Sequence, residues 1–289
     1  MPTIFTHGGT AHRDEVLACA IILAKEHASN QDWSIRRVSA IDETAVTDLD
    51  YVVDIGGVYD PLSRRFDHHQ DDKLPASVVL VMRHFGILDA AYEWYPWVEF
   101  TDIMDTQGPR AAAEWLDVRA STLAHLRSPL ELAFLREFEN SVLVVPGSFI
   151  HDALLLVGRD IIDGLEIRAE RLELLKTRTV VEWCEGQPLC IYFLDDVPRP
   201  EMALRMFRRR FAPGARIGVI TNVRGSGWSM FRFEDRSGVD FRHVATHPEV
   251  EFVHTTGFLA TTKTRCPTDI LRQLVRHAAG ISQENSNDT

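Results

Sequence analysis

Two short apolar runs near the start of the chain each end in a cluster of histidine and aspartate. The first run, residues 2–6, enters the histidine-containing segment 7–14, and the second, residues 51–55, contains Asp54. The second run is apolar without alternation, which is typical of a strand covered on both faces. Apolar residues at helical spacing follow residue 14 and lie again in residues 75–85. The order strand, helix, strand, strand, helix predicts an α/β domain with a mostly parallel sheet.

The polar residues after these strands predict a metal site. In an open parallel sheet, ligands collect beyond the carboxyl ends of the strands, where His7 and Asp54 are expected. His12 and Asp14 follow His7 closely, and the two glycines between them allow the backbone to turn sharply. Imidazole and carboxylate groups placed in this way suit a divalent metal ion better than a packed core.

Two further segments add candidate ligands. Asp67, His68 and His69 are consecutive, which can provide a ligand, a carboxylate that orients it, and an acid or substrate ligand. Asp102 and Asp105 are three apart, so a helix would place both carboxylates on one face. Any single histidine is more often an ordinary hydrogen-bonded residue, and two such aspartates alone would be a solvated helix face. Together, the candidate histidines and aspartates supply about the right number of ligands for two metal ions, which would activate water and hold a phosphoryl group.

Composition limits the class of protein and its partners. The chain has 289 residues, enough for two domains, and 45% of them are hydrophobic. Its net charge of −11 argues against broad binding to duplex nucleic acid, but leaves room for a local basic groove that binds a short oligonucleotide. Four scattered cysteines without a CxxC pair favour reduced thiols and a cytoplasmic protein. No apolar run approaches the ~20 residues of a membrane span, and no signal peptide is expected ahead of the first motif. An oligomer is possible.

The second half of the chain predicts a separate domain. A long helix is expected over residues 151–184, followed mainly by strands, one of them over residues 252–260. The tail, residues 282–289, is polar and is expected to be disordered. The predicted division is a metal-binding catalytic domain in residues 1–145, a helical connector in 146–186, and a smaller C-terminal α+β domain for substrate binding in 187–289.

The motifs resemble those of the DHH phosphoesterase superfamily, which includes RecJ-type exonucleases, oligoribonuclease-like phosphodiesterases and manganese family II pyrophosphatases. The resemblance is closer to the Myg family, often labelled metal-dependent protein hydrolases. Residues 6–15 are similar to its pattern T-H-x-G-T-x-H-x-D-E, residues 52–61 to V-V-D-V-G-G-x-Y-D-P, and residues 65–70 to R-x-D-H-H-Q. The resemblance resumes in residues 252–258 and so spans almost the whole chain.

This resemblance implies an α/β fold of the DHH type and two divalent cations, preferably Mn with Mg as the alternative. The implied ligands of one ion are His7, His12 and Asp54. The implied ligands of the other ion are Asp14, Asp54 as a bridge, His68, and either Asp102 or Asp105, with Asp102 slightly favoured. His69 would face the scissile phosphate, and with Asp67 it forms the candidate catalytic pair. His12 stands where most of the wider superfamily has aspartate, a difference that could alter the preferred metal.

The substrate is expected to contact the C-terminal half. A turn of the second domain that contains histidine is implied to contact the substrate, and the candidate substrate-binding residues are His254, Lys263, Arg208 and Arg209. For the arginines, a solvated helix face is an equally good interpretation. The predicted function is hydrolysis of phosphodiester bonds in short RNA or DNA, from an end, by a metal-bound hydroxide. The alternatives are a small-molecule phosphatase or pyrophosphatase, or a non-catalytic metal-binding protein of the same fold.

Overall fold

The structure is a computed structural model that describes residues 1–27, 31–198, 200–235 and 237–281. It divides into two compact units, Met1–Glu166 and Ile167–Thr289. The boundary lies inside the segment predicted as a connector, and the three-part division itself stays a prediction. The tail that was expected to be disordered lies outside the described residues. Within the described part of the chain, no helix combines the length and the apolar character needed to cross a bilayer.

The N-terminal unit alternates short strands with helices and then continues as a series of helices. Its elements are β1 (Thr3–His7), α1 (Arg13–His27), β2 (Ser34–Val38), β3 (Tyr51–Val53), β4 (Tyr59–Asp60), β5 (Arg65–Phe66), α2 (Ser77–His84), α3 (Leu88–Trp94), α4 (Pro96–Thr106), α5 (Gly108–Trp115), α6 (Ala120–His125), α7 (Pro129–Asn140), β6 (Leu143–Val144) and the first part of α8 (Phe149–Arg178). Residues 110–140 therefore contain several short helices.

The first six strands form one sheet in the order β4-β5-β3-β1-β2-β6. The four central strands are parallel, and only the edge strands β4 and β6 pair antiparallel. The predicted mostly parallel sheet is confirmed. Ile4, Val52 and Val53 are fully or almost fully buried, as expected for strands covered on both faces.

Helix α1 is the central helix of this unit and carries two of the acidic residues of the first motif. Its residues from Val16 to Ala24 are buried apart from Leu17, so the helix is covered on nearly all sides. Gly158 of α8 contacts its backbone directly, since a Cβ atom at this glycine would lie 1.9 Å from the carbonyl oxygen of Ala20. The glycine therefore allows α8 to pack directly against the backbone of α1.

The C-terminal unit contains a second six-stranded sheet, in the order β11-β12-β10-β9-β8-β7. Its elements after α8 are β7 (Val180–Cys184), β8 (Gln187–Tyr192), α9 (Glu201–Phe211), β9 (Ile217–Thr221), β10 (Trp228–Arg232), β11 (Val250–Val253), β12 (Leu259–Thr262) and α10 (Thr268–Ala278). Neighbouring strands are antiparallel except β8 and β9, which α9 connects. Leu271, Leu274 and Val275 of α10 pack on one face with Val219 and Met230. The predicted α+β character is confirmed.

Two sequence predictions in this unit were wrong. The long helix ends at Arg178, and the residues assigned to its last turns form β7. Glu185 and Gly186 both have positive φ and close a hairpin that pairs Cys184 with Gln187, so a strand replaces the helix. The single strand expected over residues 252–260 is two strands, β11 and β12, because the chain turns between them.

Candidate metal centre

The parallel register of β1 and β3 places the two leading candidates side by side. Thr6 pairs with Val53, so His7 and Asp54 lie next to each other at the carboxyl ends of their strands. The Nε2 atom of His7 is 3.4 Å from Oδ2 of Asp54 and 3.4 Å from Oε1 of Glu15. The strand-end position that was predicted from the apolar runs thus brings an imidazole between two carboxylates.

Asp54 has an unusual backbone conformation. Its φ is +56°, in the left-handed region that residues other than glycine rarely adopt, and its side chain is almost fully buried. Such strain costs about 1–3 kcal/mol and is concentrated at functional sites. It directs the carboxylate between two histidines, since Oδ1 lies 3.2 Å from Nε2 of His68 while Oδ2 faces His7.

The first group of potential ligand atoms joins β1, β3 and the start of α1. It consists of His7, His12, Glu15 and Asp54, whose ligand atoms all lie within 4.8 Å of one another. The backbone N–H of His12 donates to both carboxylate oxygens of Glu15, at 2.7 and 2.9 Å, in the manner of a capping box. Sequence analysis missed Glu15, although it lies in the first motif at the capping-box spacing from His12.

The second group shares Asp54 with the first. Its members are Asp14, Asp54, His68 and Asp105, again within 4.8 Å of one another. The Asp14 carboxylate accepts the backbone N–H groups of Ser77 and Val78 at the start of α2, at 2.9 and 2.7 Å. The buried Nε2 atom of His68 has no hydrogen-bond partner among the described residues, although Oδ2 of Asp105 lies 3.1 Å away.

The two aspartates of α4 differ in their contacts, although they are on one helix face. Asp105 faces His68. Asp102 instead accepts the backbone N–H of Ala76, at 2.7 Å, and lies outside both groups of potential ligands. The geometry therefore favours Asp105 as the ligand and not Asp102, the residue slightly preferred from the sequence.

Asp67 and His69 form a hydrogen-bonded pair, and His69 is also part of a third, smaller group of potential ligands with Asp54 and His68. The buried Asp67 carboxylate accepts the backbone N–H groups of Gly57, His68 and His69, and its Oδ1 lies 2.7 Å from Nδ1 of His69. The His69 side chain is 63% exposed, and its Nδ1 is 3.7 Å from Asp54. Asp67 thus orients the ring of His69, which the sequence analysis named as its catalytic partner.

The close carboxylates and imidazoles change each other's proton affinity. Hydrogen bonds to Asp54 and Glu15 raise the pKa of His7 to about 10. Burial lowers the pKa of His68, but Asp105 and Asp54 outweigh it and raise this pKa to about 10. Burial and the negative charges of Asp54 and Asp105 raise the pKa of Asp14 well above its usual value.

Asp54 is affected in the opposite direction. Burial raises its pKa, but the nearby imidazoles of His68 and His7 together outweigh burial and keep it well below its usual value. In the metal-free protein the two imidazoles therefore carry protons that face carboxylates. A divalent ion can take the place of such protons. The buried Nε2 of His68, which has no well-aligned hydrogen bond among the described residues, and the mixed donor sets fit divalent ions.

The predicted substrate-binding residues lie on α9 and at the two ends of β12. Arg208 is already engaged, since its Nε donates to the carbonyl of Ala215 at 2.7 Å and its guanidinium pairs with Glu234 at 2.7 Å. Arg209 is exposed on α9. His254 lies in the turn before β12, whereas Lys263 directly follows that strand, so these two residues are at its opposite ends.

The fold and these ligand groups define an α/β protein with a two-part site suited to divalent metal ions. Residues 3–86 match the model MYG1_exonuc, an uncharacterised protein family (UPF0160). The predicted resemblance to the Myg family is therefore confirmed over this segment, which contains all the metal-ligand candidates except those of α4.

Relatives match short stretches of the chain. The human MYG1 exonuclease is 47% identical over 70 residues, which are 24% of this chain and 17% of the human protein. The mouse (Mus musculus) MYG1 exonuclease is 46% identical over 70 residues, with the same coverage of 24% and 17%. A MYG1 protein of Chlamydia pneumoniae is 32% identical over 92 residues, 30% of each chain. The match thus spans less than a third of these relatives.

The solved structures found in the comparison have low sequence identity and low TM-scores. RecJ from Thermus thermophilus in complex with Mn²⁺ is 11% identical with a TM-score of 0.30, over 96% of this chain and 51% of that chain. The DHH domain of a member of the s1p family of ribosomal proteins is 11% identical with a TM-score of 0.34, over 98% and 87%.

Proposed function

We propose that this protein is a divalent-metal-dependent phosphoesterase that hydrolyses phosphodiester bonds of short single-stranded RNA or DNA. The observation that carries the proposal is that two groups of four potential ligands share one strained, buried carboxylate, that of Asp54. A shared carboxylate is the arrangement that holds two ions close together, as in two-metal phosphoryl-transfer sites. The relatives named exonucleases support nucleic acid as the substrate.

The ligands of the two ions would come from different elements. His7, His12 and Asp54 would hold one ion, and Asp14, Asp54, His68 and Asp105 the other. Manganese is the preferred ion, with magnesium as the alternative, because the donors mix imidazole and carboxylate. When bound, such a pair activates water and neutralises charge on the phosphoryl oxygens.

His69 is positioned to act on the substrate. Because Asp67 holds its Nδ1, the ring presents Nε2 on its exposed side, where a phosphate or leaving oxygen can reach it. We assign His69 to hydrogen-bonding the scissile phosphate and supplying a proton to the leaving oxygen. Asp67 orients the ring and does not touch the substrate. His69→Ala should lower turnover at least ~10-fold and leave metal content unchanged.

One observation favours the smaller-substrate alternative. His254 and Lys263 lie at opposite ends of β12, and Arg208 is paired with Glu234 and the carbonyl of Ala215. A compact substrate such as pyrophosphate or a small phosphate ester would need only the metal ions, His69 and one or two cations. His254, Lys263 and Arg209 remain proposed contacts for a longer strand.

The deciding experiment is an activity screen of the Mn²⁺-loaded protein on four substrates. These are a short RNA, a short DNA, a cyclic dinucleotide and pyrophosphate, each with His69→Ala as the matched control. The proposal expects fastest turnover on an oligonucleotide, with mononucleotide products. Preference for pyrophosphate would favour the alternative, and two bound ions without turnover on any phosphoester would indicate a non-catalytic protein.

A further inference from the structure

Glu15 is a buried carboxylate whose position is not explained by helix capping alone. It is completely buried, at the first turn of α1, and its hydrogen bond from His12 N–H closes a capping box. Such a cap needs only a carboxylate at the helix surface, where water hydrates its remaining lone pairs. A carboxylate offers about four acceptor sites, so the burial of Glu15 requires further positive partners.

The permanent cation beside Glu15 does not supply a hydrogen bond. Arg37 is buried and its Nη2 lies 3.9 Å from Oε1 of Glu15, beyond hydrogen-bond distance. Its N–H groups donate instead to the carbonyl oxygens of Gly9 and Glu139, at 3.0 and 2.9 Å. Arg37 therefore balances part of the charge of Glu15 while its own position is set by the backbone. Arg37 thus leaves acceptor capacity on the Glu15 carboxylate, which lies within the first ligand group.

The closest side-chain partner of Glu15 is an imidazole that also faces Asp54. Nε2 of His7 is 3.4 Å from a carboxylate oxygen of each residue. Donor atoms on adjacent positions of one metal ion, each ~2.1 Å from it, are separated by about 3 Å. The three atoms thus have the spacing of neighbouring ligands, and His12 completes a set in which all ligand atoms lie within 4.8 Å.

We propose that Glu15 is a ligand of the first metal ion and makes the two sites chemically different. This inference rests on the two-metal centre of the proposed function. With Glu15, the first site has two imidazoles and two carboxylates, which together neutralise a divalent charge. The second site has one imidazole and three carboxylates. Because imidazole suits transition metals and oxygen-rich sets suit magnesium, the first site retains Mn²⁺ against Mg²⁺ and the second exchanges it.

The test measures metal binding directly and not turnover. Mn²⁺ binding is followed by the electron paramagnetic resonance signal of the free ion, and bound metal by elemental analysis after dialysis, with and without a large excess of Mg²⁺. The variants are Glu15→Gln and Glu15→Asp. The matched control is Glu26→Gln, at the other end of the same helix, where the carboxylate accepts from the hydroxyl of Tyr51.

The wild type is expected to bind two Mn²⁺ ions and to keep one of them in excess Mg²⁺. Glu15→Gln should lose that Mg²⁺-resistant ion, with affinity at one site lowered at least ~10–100-fold, and keep the other. Glu15→Asp should show a smaller loss at the same site, and Glu26→Gln should resemble the wild type. If Glu15→Gln fails to fold, Mg²⁺ competition on the wild type and on Glu15→Asp decides.

Three results would overturn the assignment. In the first, Glu15→Gln binds both ions within about twofold of the wild type. In the second, both ions weaken equally, as expected if Glu15 only stabilises α1. In the third, Mg²⁺ displaces both ions of the wild type equally. A wild type that binds no divalent ion would contradict the proposed function as well, which separates the failure of the metal centre from the failure of the Glu15 assignment.

Discussion

Each unit of this protein buries a glutamate, and the two glutamates have opposite kinds of partner. Glu182 in the C-terminal sheet accepts the hydroxyl of Tyr192 at 2.5 Å and Nε of Arg276 at 2.7 Å. Glu15 in the N-terminal unit lies 3.9 Å from Arg37 and faces imidazoles. An arginine keeps its proton under all ordinary conditions, whereas an imidazole can release one. A carboxylate paired with a fixed cation is structural, and one surrounded by groups with exchangeable protons can bind a metal.

The surroundings of Glu182 and Glu15 also differ. The sheet of the C-terminal unit packs α10 onto an apolar core, and Glu182 is a charged residue placed beside it. The N-terminal unit collects buried Asp14, Glu15 and Asp54 around the ends of β1 and β3. Burying several carboxylates together is costly unless positive charge is supplied. The N-terminal unit therefore has more buried negative charge to balance than the C-terminal unit.

The largest expected effect comes from the carboxylate shared by both ligand groups. Asp54→Asn should weaken metal binding at both sites by at least ~100-fold and reduce turnover to background, because neutral amide oxygen is a poor bridge. Asparagine tolerates positive φ, so the fold should persist. Elemental analysis and circular dichroism check both points. Normal metal content in this variant would contradict the proposal that the buried carboxylates of the N-terminal unit bind metal ions.

The next effect is on the pH dependence of metal binding. Because His7 and His68 hold protons with pKa raised to about 10, a metal ion must displace them. Affinity should therefore rise with pH up to about 10, by up to ~10-fold per pH unit for each displaced proton. Calorimetry in buffers of different ionisation enthalpy measures the released protons. Release of none would contradict the assignment of these imidazoles.

The metal-free protein should show the opposite trend. A group whose pKa is raised in the folded state stabilises that state below its unfolded pKa, here 6.5 for both histidines. This contribution is lost as pH rises through the folded value of about 10. The Tm of the metal-free protein should accordingly fall between these pH values. A Tm that rises over this window would show that the imidazolium contacts are not stabilising.

A smaller difference is expected between the two aspartates of α4. Asp105→Asn should weaken the second ion by ~10–100-fold, since its oxygen faces Nε2 of His68. Asp102→Asn should affect metal binding less, because its carboxylate accepts the N–H of Ala76 and its loss acts through the start of α2. Mn²⁺ titrations of both variants measure the difference, and the reverse order would return the ligand role to Asp102.

The smallest effect concerns the structural glutamate. Glu182→Gln keeps the shape of the side chain and loses its charge, so unfolding free energy should fall by about 1–2 kcal/mol. Metal content should not change. Chemical denaturation measures the unfolding free energy, and elemental analysis measures the metal content. A loss of bound metal in Glu182→Gln would mean that the buried carboxylates of the two units do not differ in kind.

Much of the N-terminal fold could be predicted because its signals are local. Apolar runs without alternation mark β1 and β3, and helical spacing marks α1. Since parallel strands end at one edge of the sheet, the two apolar runs alone predicted that His7 and Asp54 lie at that edge. The end of α8 was less predictable, because Val180–Cys184 is compatible with either structure until the hairpin pairs it with β8.

The sequence by itself determined which residue types stand at the strand ends, because the motif residues directly follow the apolar runs along the chain. Only the tertiary structure decided which of those residues face one another. Asp102 and Asp105 share a helix face. In the packing of α4 against α2, however, Asp102 accepts a backbone N–H, whereas Asp105 faces His68. Glu15 became a candidate ligand because burial removed water from it. His254 and Lys263, close in sequence, are separated by the length of β12, since an extended strand carries its two ends apart.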